Sequence, residues 1–132
     1  MSVFLLEIVT PKGLYFSDNV ESLSIKLTSG YRTFLKGHIP LIGALDYAPM
    51  HLTMNGKKIF YAVHGGAINV TKEKIIVITN AIERKDEIDI SRAKDAKKRA
   101  EERLNSKDPN IDIKRARVAL LRAIARIKTY EN

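Results

Sequence analysis

The chain is 132 residues long, 45% hydrophobic and free of cysteine, with 23 Lys and Arg against 15 Asp and Glu for a net charge of +8. This is enough apolar material for the core of one domain, or of a small domain with an appendage, and too much for a disordered basic chain. Disulfide scaffolds, Cys-ligated zinc and thiol catalysis are excluded, while the cationic surplus suits nucleic acid, a membrane surface or an acidic protein partner.

At the N-terminus, Glu7 interrupts the apolar run Val3-Phe4-Leu5-Leu6 and no basic stretch precedes it, a pattern unlike a signal peptide. No run approaches the roughly 20 apolar residues that cross a bilayer. All seven glycines lie between Gly13 and Gly66, and three of the four prolines precede residue 50. Within that stretch Leu23, Ile25 and Leu27 alternate with Ser24, Lys26 and Thr28, the two-residue period of a half-buried strand. Ala48, Met50 and Leu52 repeat it, followed by an Asn55-Gly56 hairpin signal and then Ile59, Tyr61 and Val63. Gly65-Gly66 interrupts the pattern. A further hairpin is expected from Ile68-Val70 through Thr71-Lys72-Glu73-Lys74 to the run Ile75-Ile76-Val77-Ile78. Many short strands with regular turns predict an antiparallel sandwich or barrel.

The period then changes. Asp89 is positioned to cap a helix starting near Ile90, with Ala93, Ala96, Ala100 and Leu104 at helical spacing. Residues 105–110, Asn-Ser-Lys-Asp-Pro-Asn, read as a loop. A second helix begins near Asp112, with Ile113, Ala116, Leu120, Ala123 and Ile127 on one stripe. Two helices joined so closely fold back as an antiparallel hairpin. Its facing stripes are mostly alanine, which bury only about 0.8 kcal/mol per methylene-sized group, so the hairpin opens at modest cost.

Residues 1–86 carry 10 basic and 7 acidic side chains, and residues 87–132 carry 13 and 8. The surplus is therefore concentrated in the shorter, helical part. Arg92, Arg99 and Arg103 are spaced i, i+7, i+11, and Arg115, Arg122 and Arg126 repeat that spacing, so each set forms one helix face. Such a face is either simply solvated or an anion site, where guanidinium forks bind phosphate oxygens bidentately. In the second case Asp89 and Glu83 are placed to hold the arginines or to accept from a ribose or base. His38, His51 and His64 are scattered over the strand half with no shared carboxylate motif and read as structural. No nucleophile–base pair, P-loop or G-x-G-x-x-G is present, so any nucleotide site is built from side chains. Asn69-Val70-Thr71 matches the glycosylation pattern by chance in a chain without a secretion signal.

Three motifs carry a family resemblance. Gly37-His38-Ile39-Pro40-Leu41 is similar to a G-H-x-P-L loop, Gly65-Gly66 to a double glycine between later strands, and Ile88-Asp89-Ile90-Ser91-Arg92-Ala93 to an I/L-D-x-x-R-A signature. In this order, over essentially the whole chain, they resemble the ATP-binding bacterial epsilon subunits of F-type ATP synthase. The resemblance implies a flattened antiparallel β-sandwich of about ten strands over 1–86 that binds the rotor. It implies a regulatory two-helix hairpin over 87–132. It also implies a non-catalytic central-stalk component of a proton-translocating complex, peripheral to the cytoplasmic side of the cell membrane. The implied partners are the gamma subunit, the c-ring and the beta and alpha subunits, with no required cofactor, no metal and no catalytic residue. The hairpin of such subunits either folds down on the sandwich or extends up the gamma subunit. Extended, its basic side chains meet an acidic loop of the beta subunit and block ATP hydrolysis. ATP, as a regulatory ligand, favours the folded state.

Matching that nucleotide site onto this chain selects Glu83, Ile88, Asp89, Arg92, Ala93, Arg99, Arg122 and Arg126. The rotor interface falls on Tyr31, Arg32, His38 and Pro40. Where many members read S-G-E-L-G-I-x-P-G-H, this chain has Ser-Gly-Tyr-Arg-Thr-Phe-Leu-Lys-Gly-His over 29–38, a basic, aromatic loop expected near the c-ring. Two other readings compete. A nucleic-acid-binding module suits the charge, but Glu101-Glu102 and the other acids of the hairpin repel a phosphate backbone, and the helices carry no stacking platform. A membrane-surface helix suits the basic, amphipathic second helix, which nevertheless lacks Trp or Phe anchors.

Overall fold

The turn at Asn55-Gly56 sets the geometry of the strand domain. Both residues have positive φ, 52° and 76°, as a two-residue hairpin turn of the right twist requires. It joins the two longest strands, β5 (Leu41–Met54) and β6 (Lys57–Val70), which pair antiparallel from Met54↔Lys57 to Leu41↔Val70. The computed structural model describes residues 2–132. Around this ribbon lie β1 (Phe4–Thr10), β2 (Gly13–Val20), β3 (Ser22–Leu27), β4 (Gly30–Phe34), β7 (Lys74–Thr79) and the short β8 (Ile82–Arg84). The order across the sheet is β2-β1-β7-β6-β5-β3-β4, with β8 on β6.

The alternations expected on β3 and β5 hold, whereas on β6 Tyr61 to Gly65 are buried throughout. Leu23, Ile25 and Leu27 are buried on β3, Met50 and Leu52 on β5, Tyr61 and Val63 on β6, and Ile75 and Val77 on β7. They join Phe4, Leu6 and Ile8 of β1 in one apolar cluster, so the sheet folds over on itself as a sandwich. Among the described residues there are eight strands rather than about ten, because β5 and β6 each run unbroken through 14 residues. Gly65-Gly66 bends β6 without ending it. Their φ values are +72° and +127°, and a Cβ on Gly66 would lie 1.9 Å from the Ile78 carbonyl oxygen. Thr79 straps the bend, its hydroxyl donating to the Gly65 carbonyl at 2.6 Å. The pairing is also not purely antiparallel, since β1 runs parallel to β7, with Leu5 opposite Lys74 and Val9 opposite Ile78.

A 3-10 turn (Lys85–Glu87) leads from β8 into the helices α1 (Ile90–Asn105) and α2 (Ile113–Glu131). Both start the same way. Asp89 Oδ1 accepts from the Arg92 amide and Asp112 Oδ1 from the Arg115 amide, each at 3.1 Å, satisfying free first-turn donors. The helices meet through Ala93 and Ala100 on α1 and Ala116 and Ala123 on α2, all buried. Ile113, expected on this stripe, is 41% exposed. Instead α2 buries a second line, Ala125 and Thr129, and packs on β5 and β6. Thus α1 rests on α2, and α2 rests on the sheet. Lys85 donates to the Asn132 carbonyl, fixing the end of α2 beside the turn that leads into α1.

Candidate functional site

The seam where β8, the 3-10 turn and both helices meet encloses a cavity of about 450 Å³, lined by Glu83, Glu87, Asp89, Arg92, Ala93, Ala96, Arg99 and Arg126. A pocket of this size accommodates a small organic ligand. Each lining group is placed by local structure. Glu83 sits on β8, where pairing with Ala62 fixes its backbone. Glu87 turns back on the 3-10 segment, its Oε1 accepting from the Arg84 amide at 3.0 Å, and Asp89 is the cap of α1. Arg92, Ala96 and Arg99 follow at spacings of four and three on α1, and Arg126 arrives from α2 across the alanine interface.

The charges are segregated. The three carboxylates belong to β8, the turn and the helix cap, whereas the three guanidiniums belong to the helices. Arg126 Nε donates to Glu83 Oε1 at 2.5 Å, and their side chains are 32% and 27% exposed. The same oxygen accepts from His64 Nε2 at 3.0 Å. The His64 hydrogen bond, reinforced by the Arg126 hydrogen bond and charge, outweighs burial and holds the Glu83 carboxyl down to about 2. Arg92 and Arg99 form no ion pair among the described residues, so their guanidiniums are free to bind an anion. The arrangement offers donors for phosphate oxygens on one side and acceptors for N–H or O–H groups on the other.

Of the sequence-selected site residues, Glu83, Asp89, Arg92, Ala93, Arg99 and Arg126 are brought together around this cavity. Ile88 lies buried between the turn and α1 and does not line it. Arg122 stands one turn before Arg126 on α2, outside the lining, with its Nε buried and unpartnered among the described residues. Glu87, Ala96 and His64 were not anticipated. Ala96 was legible as part of the α1 stripe and Glu87 as the acid next to Ile88. His64 had no signal, because Tyr61 to Gly65 are all buried and show no alternation.

Tyr31, Arg32, His38 and Pro40 lie elsewhere, on β4 and the loop from β4 to β5. Tyr31 and Arg32 are exposed, and the Tyr31 hydroxyl donates to the Pro49 carbonyl at 3.0 Å. His38 bridges the Leu35 and Thr71 carbonyls through its two ring nitrogens, at 2.6 and 3.1 Å, with edge contacts to Phe4 and Phe34. That staple presents Ile39 and Ile42 to solvent, 83% and 82% exposed, and Pro40 lines an apolar groove with Leu41, Ile42 and Asn69 to Glu73.

Fold and seam define a class: a β-sandwich carrying a two-helix hairpin, with a charged cavity at their junction. Residues 3–85 match the family described as ATP synthase, Delta/Epsilon chain, beta-sandwich domain, and residues 86–131 the family described as ATP synthase, Delta/Epsilon chain, long alpha-helix domain. The chain belongs to the ATP synthase delta/epsilon chain family. It is 42% identical over 126 residues to an ATP synthase epsilon chain of Desulforamulus reducens, covering 96% of each chain. It is 41% identical over 127 residues to that of Bacillus cytotoxicus, again with 96% of each chain covered. A chain in the cryo-EM structure of the Euglena gracilis mitochondrial ATP synthase, OSCP/F1/c-ring, has the same fold. Its TM-score is 0.84 at 20% identity, covering 95% of this chain and 79% of that one.

Proposed function

We propose that this chain is a non-catalytic regulatory subunit of the central stalk of an F-type ATP synthase, and that its folded hairpin holds ATP in the cavity of the seam. The observation that carries the nucleotide reading is that the cavity takes arginines from both helices and carboxylates from the segment preceding them. Only the closed hairpin completes it. A ligand bound by the closed form alone stabilises that form by RT ln(1 + [L]/Kd), about 2.7 kcal/mol at a hundred times Kd. By linkage, a partner that captures the open form weakens ATP binding by the same factor.

Opening exposes the alanine stripes and both arginine faces. Residues 90–129 as one helix reach roughly 60 Å at 1.5 Å per residue, far enough to lie along a gamma-subunit helix and bring basic side chains to an acidic beta-subunit loop. On the sandwich, the outward row Ala44, Ala67, Ile78 and Val9 crosses four adjacent strands in register. Such a small-residue, apolar sheet face suits docking against the stalk. The exposed Ile39 and Ile42, with Tyr31, Arg32, His38 and Pro40 nearby, suit the c-ring. No helix among the described residues is long and apolar enough to cross a membrane, and the subunit sits peripherally at the cytoplasmic face as part of the complex.

The test is calorimetric titration of the full chain with ATP. The parent binds with one-site stoichiometry, and Arg92→Ala and Arg126→Ala each weaken binding at least tenfold, the loss expected for a charge-assisted hydrogen bond. A parent chain that takes up no ATP removes the sensor role and leaves the stalk role standing.

A further inference from the structure

The Glu83 carboxylate is shared between the two halves of the molecule. One oxygen accepts from His64 of β6, which stays with the sandwich, and from Arg126 of α2, which leaves whenever the hairpin opens. We propose that His64 is a positioning residue of the nucleotide site: it keeps Glu83 partnered when Arg126 turns from that carboxylate to a phosphate of the bound ligand. This rests on the nucleotide reading above.

Three observations carry it. First, His64 is fully buried, and the only hydrogen bond of its ring among the described residues is to Glu83; Nδ1 is buried without a partner. A buried imidazole with an unsatisfied nitrogen is unfavourable for packing alone, so its polar end is there for the carboxylate. Second, the carboxylate only accepts, which assigns a proton to Nε2 and makes the ring the donor of this hydrogen bond. Third, Glu83 is half-buried, and removing one partner from such a pair leaves its charge poorly compensated. With two donors on one oxygen, the loss of Arg126 leaves one hydrogen bond in place. The His64 hydrogen bond lowers the Glu83 carboxyl, and the Arg126 hydrogen bond and charge act in the same direction. Glu83 thus keeps a hydrogen-bond donor in both states, and Arg126 is released to the ligand at reduced cost.

Without His64, Arg126 is the sole donor to Glu83, and an incoming polyphosphate has to strip it away and face a bare carboxylate. Calorimetric ATP titrations of the full chain test this with the parent, His64→Leu and His64→Gln, each also in a Glu83→Gln background. His64→Leu is expected to weaken ATP binding about tenfold, the loss of one hydrogen bond to a charged group. His64→Gln, whose amide N–H replaces the donor, recovers most of the loss. In the Glu83→Gln background the His64 substitution has no further effect. If the parent binds ATP and His64→Leu binds it equally well, the positioning role is overturned while the nucleotide site stands; a parent that binds no ATP overturns both. Should His64→Leu not fold, ¹⁵N spectra of the parent decide. A proton on Nε2 is expected with and without ATP, with the Nε2 resonance displaced on binding, and ring resonances unmoved by ATP sink the proposal.

Discussion

Two residues show how much rests on single atoms here. Glu83 has a folded-state value of about 2 against an ordinary 4.5. Depression of this sign stabilises the folded chain above about pH 4.5, and the contribution is lost as pH falls toward about 2. Comparing unfolding of the parent with Glu83→Gln across that window should show the parent's advantage shrinking as pH drops. A pH-independent difference contradicts the ionised pairing. Gly66 is constrained by shape rather than charge. With φ at +127° and no room for a Cβ beside the Ile78 carbonyl, Gly66→Ala should cost roughly 2–4 kcal/mol, through strain and a forced shift of β7. Urea unfolding measures it, and a loss below about 0.5 kcal/mol, the level of an ordinary surface change, shows that the bend relaxes freely.

At the scale of elements, α2 is the piece on which the hairpin turns, because it is buried on two sides by small residues. Ala123 is fully buried, in the line that meets α1. Ala123→Leu should overpack that interface at about 1–3 kcal/mol and shift the hairpin toward open without altering the sandwich. Interhelix distances from paired labels on α1 and α2 report the first effect, and amide exchange in β5 and β6 the second. The elements differ in how far they were legible in sequence. Asn55-Gly56 announced its turn because few residue pairs tolerate two positive φ values, and Asp89 announced its helix by capping chemistry, whereas the matching cap of Asp112 emerged with the structure. The arginine faces were visible through the 3.6-residue period, Arg92 and Arg99 on one helix and Arg126 on the other, and the fold brings these three to a common seam. What sequence did not reveal depends on distant pairing. The three-residue β8 is too short for a period, and its partner on β6 lies about twenty residues away, so the meeting of His64 with Glu83 left no local trace. Arg122 stands outside the cavity because the crossing of α2 over α1 and the sheet selects Arg126, and no spacing rule encodes that crossing.

The whole molecule is a fixed sandwich with a hairpin that contributes little apolar burial of its own. Local opening of such a unit is cheaper than global unfolding. Saturating ATP is therefore expected to slow tryptic cleavage within 90–131 about a hundredfold at a hundred times Kd, while cleavage of the sandwich stays unchanged. Equal protection of both halves shows that they open together. The parallel pairing of β1 with β7 governs a different event, the order of assembly during synthesis. The β1–β2 hairpin forms early from local contacts, but the other edge of β1 finds its partner only when Lys74 to Ile78 exist. Closure over so long a loop is entropically slow, and it precedes β8, the strand that carries Glu83. A chain emerging from the ribosome thus exposes the apolar edge of β1 through more than half of its translation. It acquires the arginines of its helices last, onto a sandwich already closed.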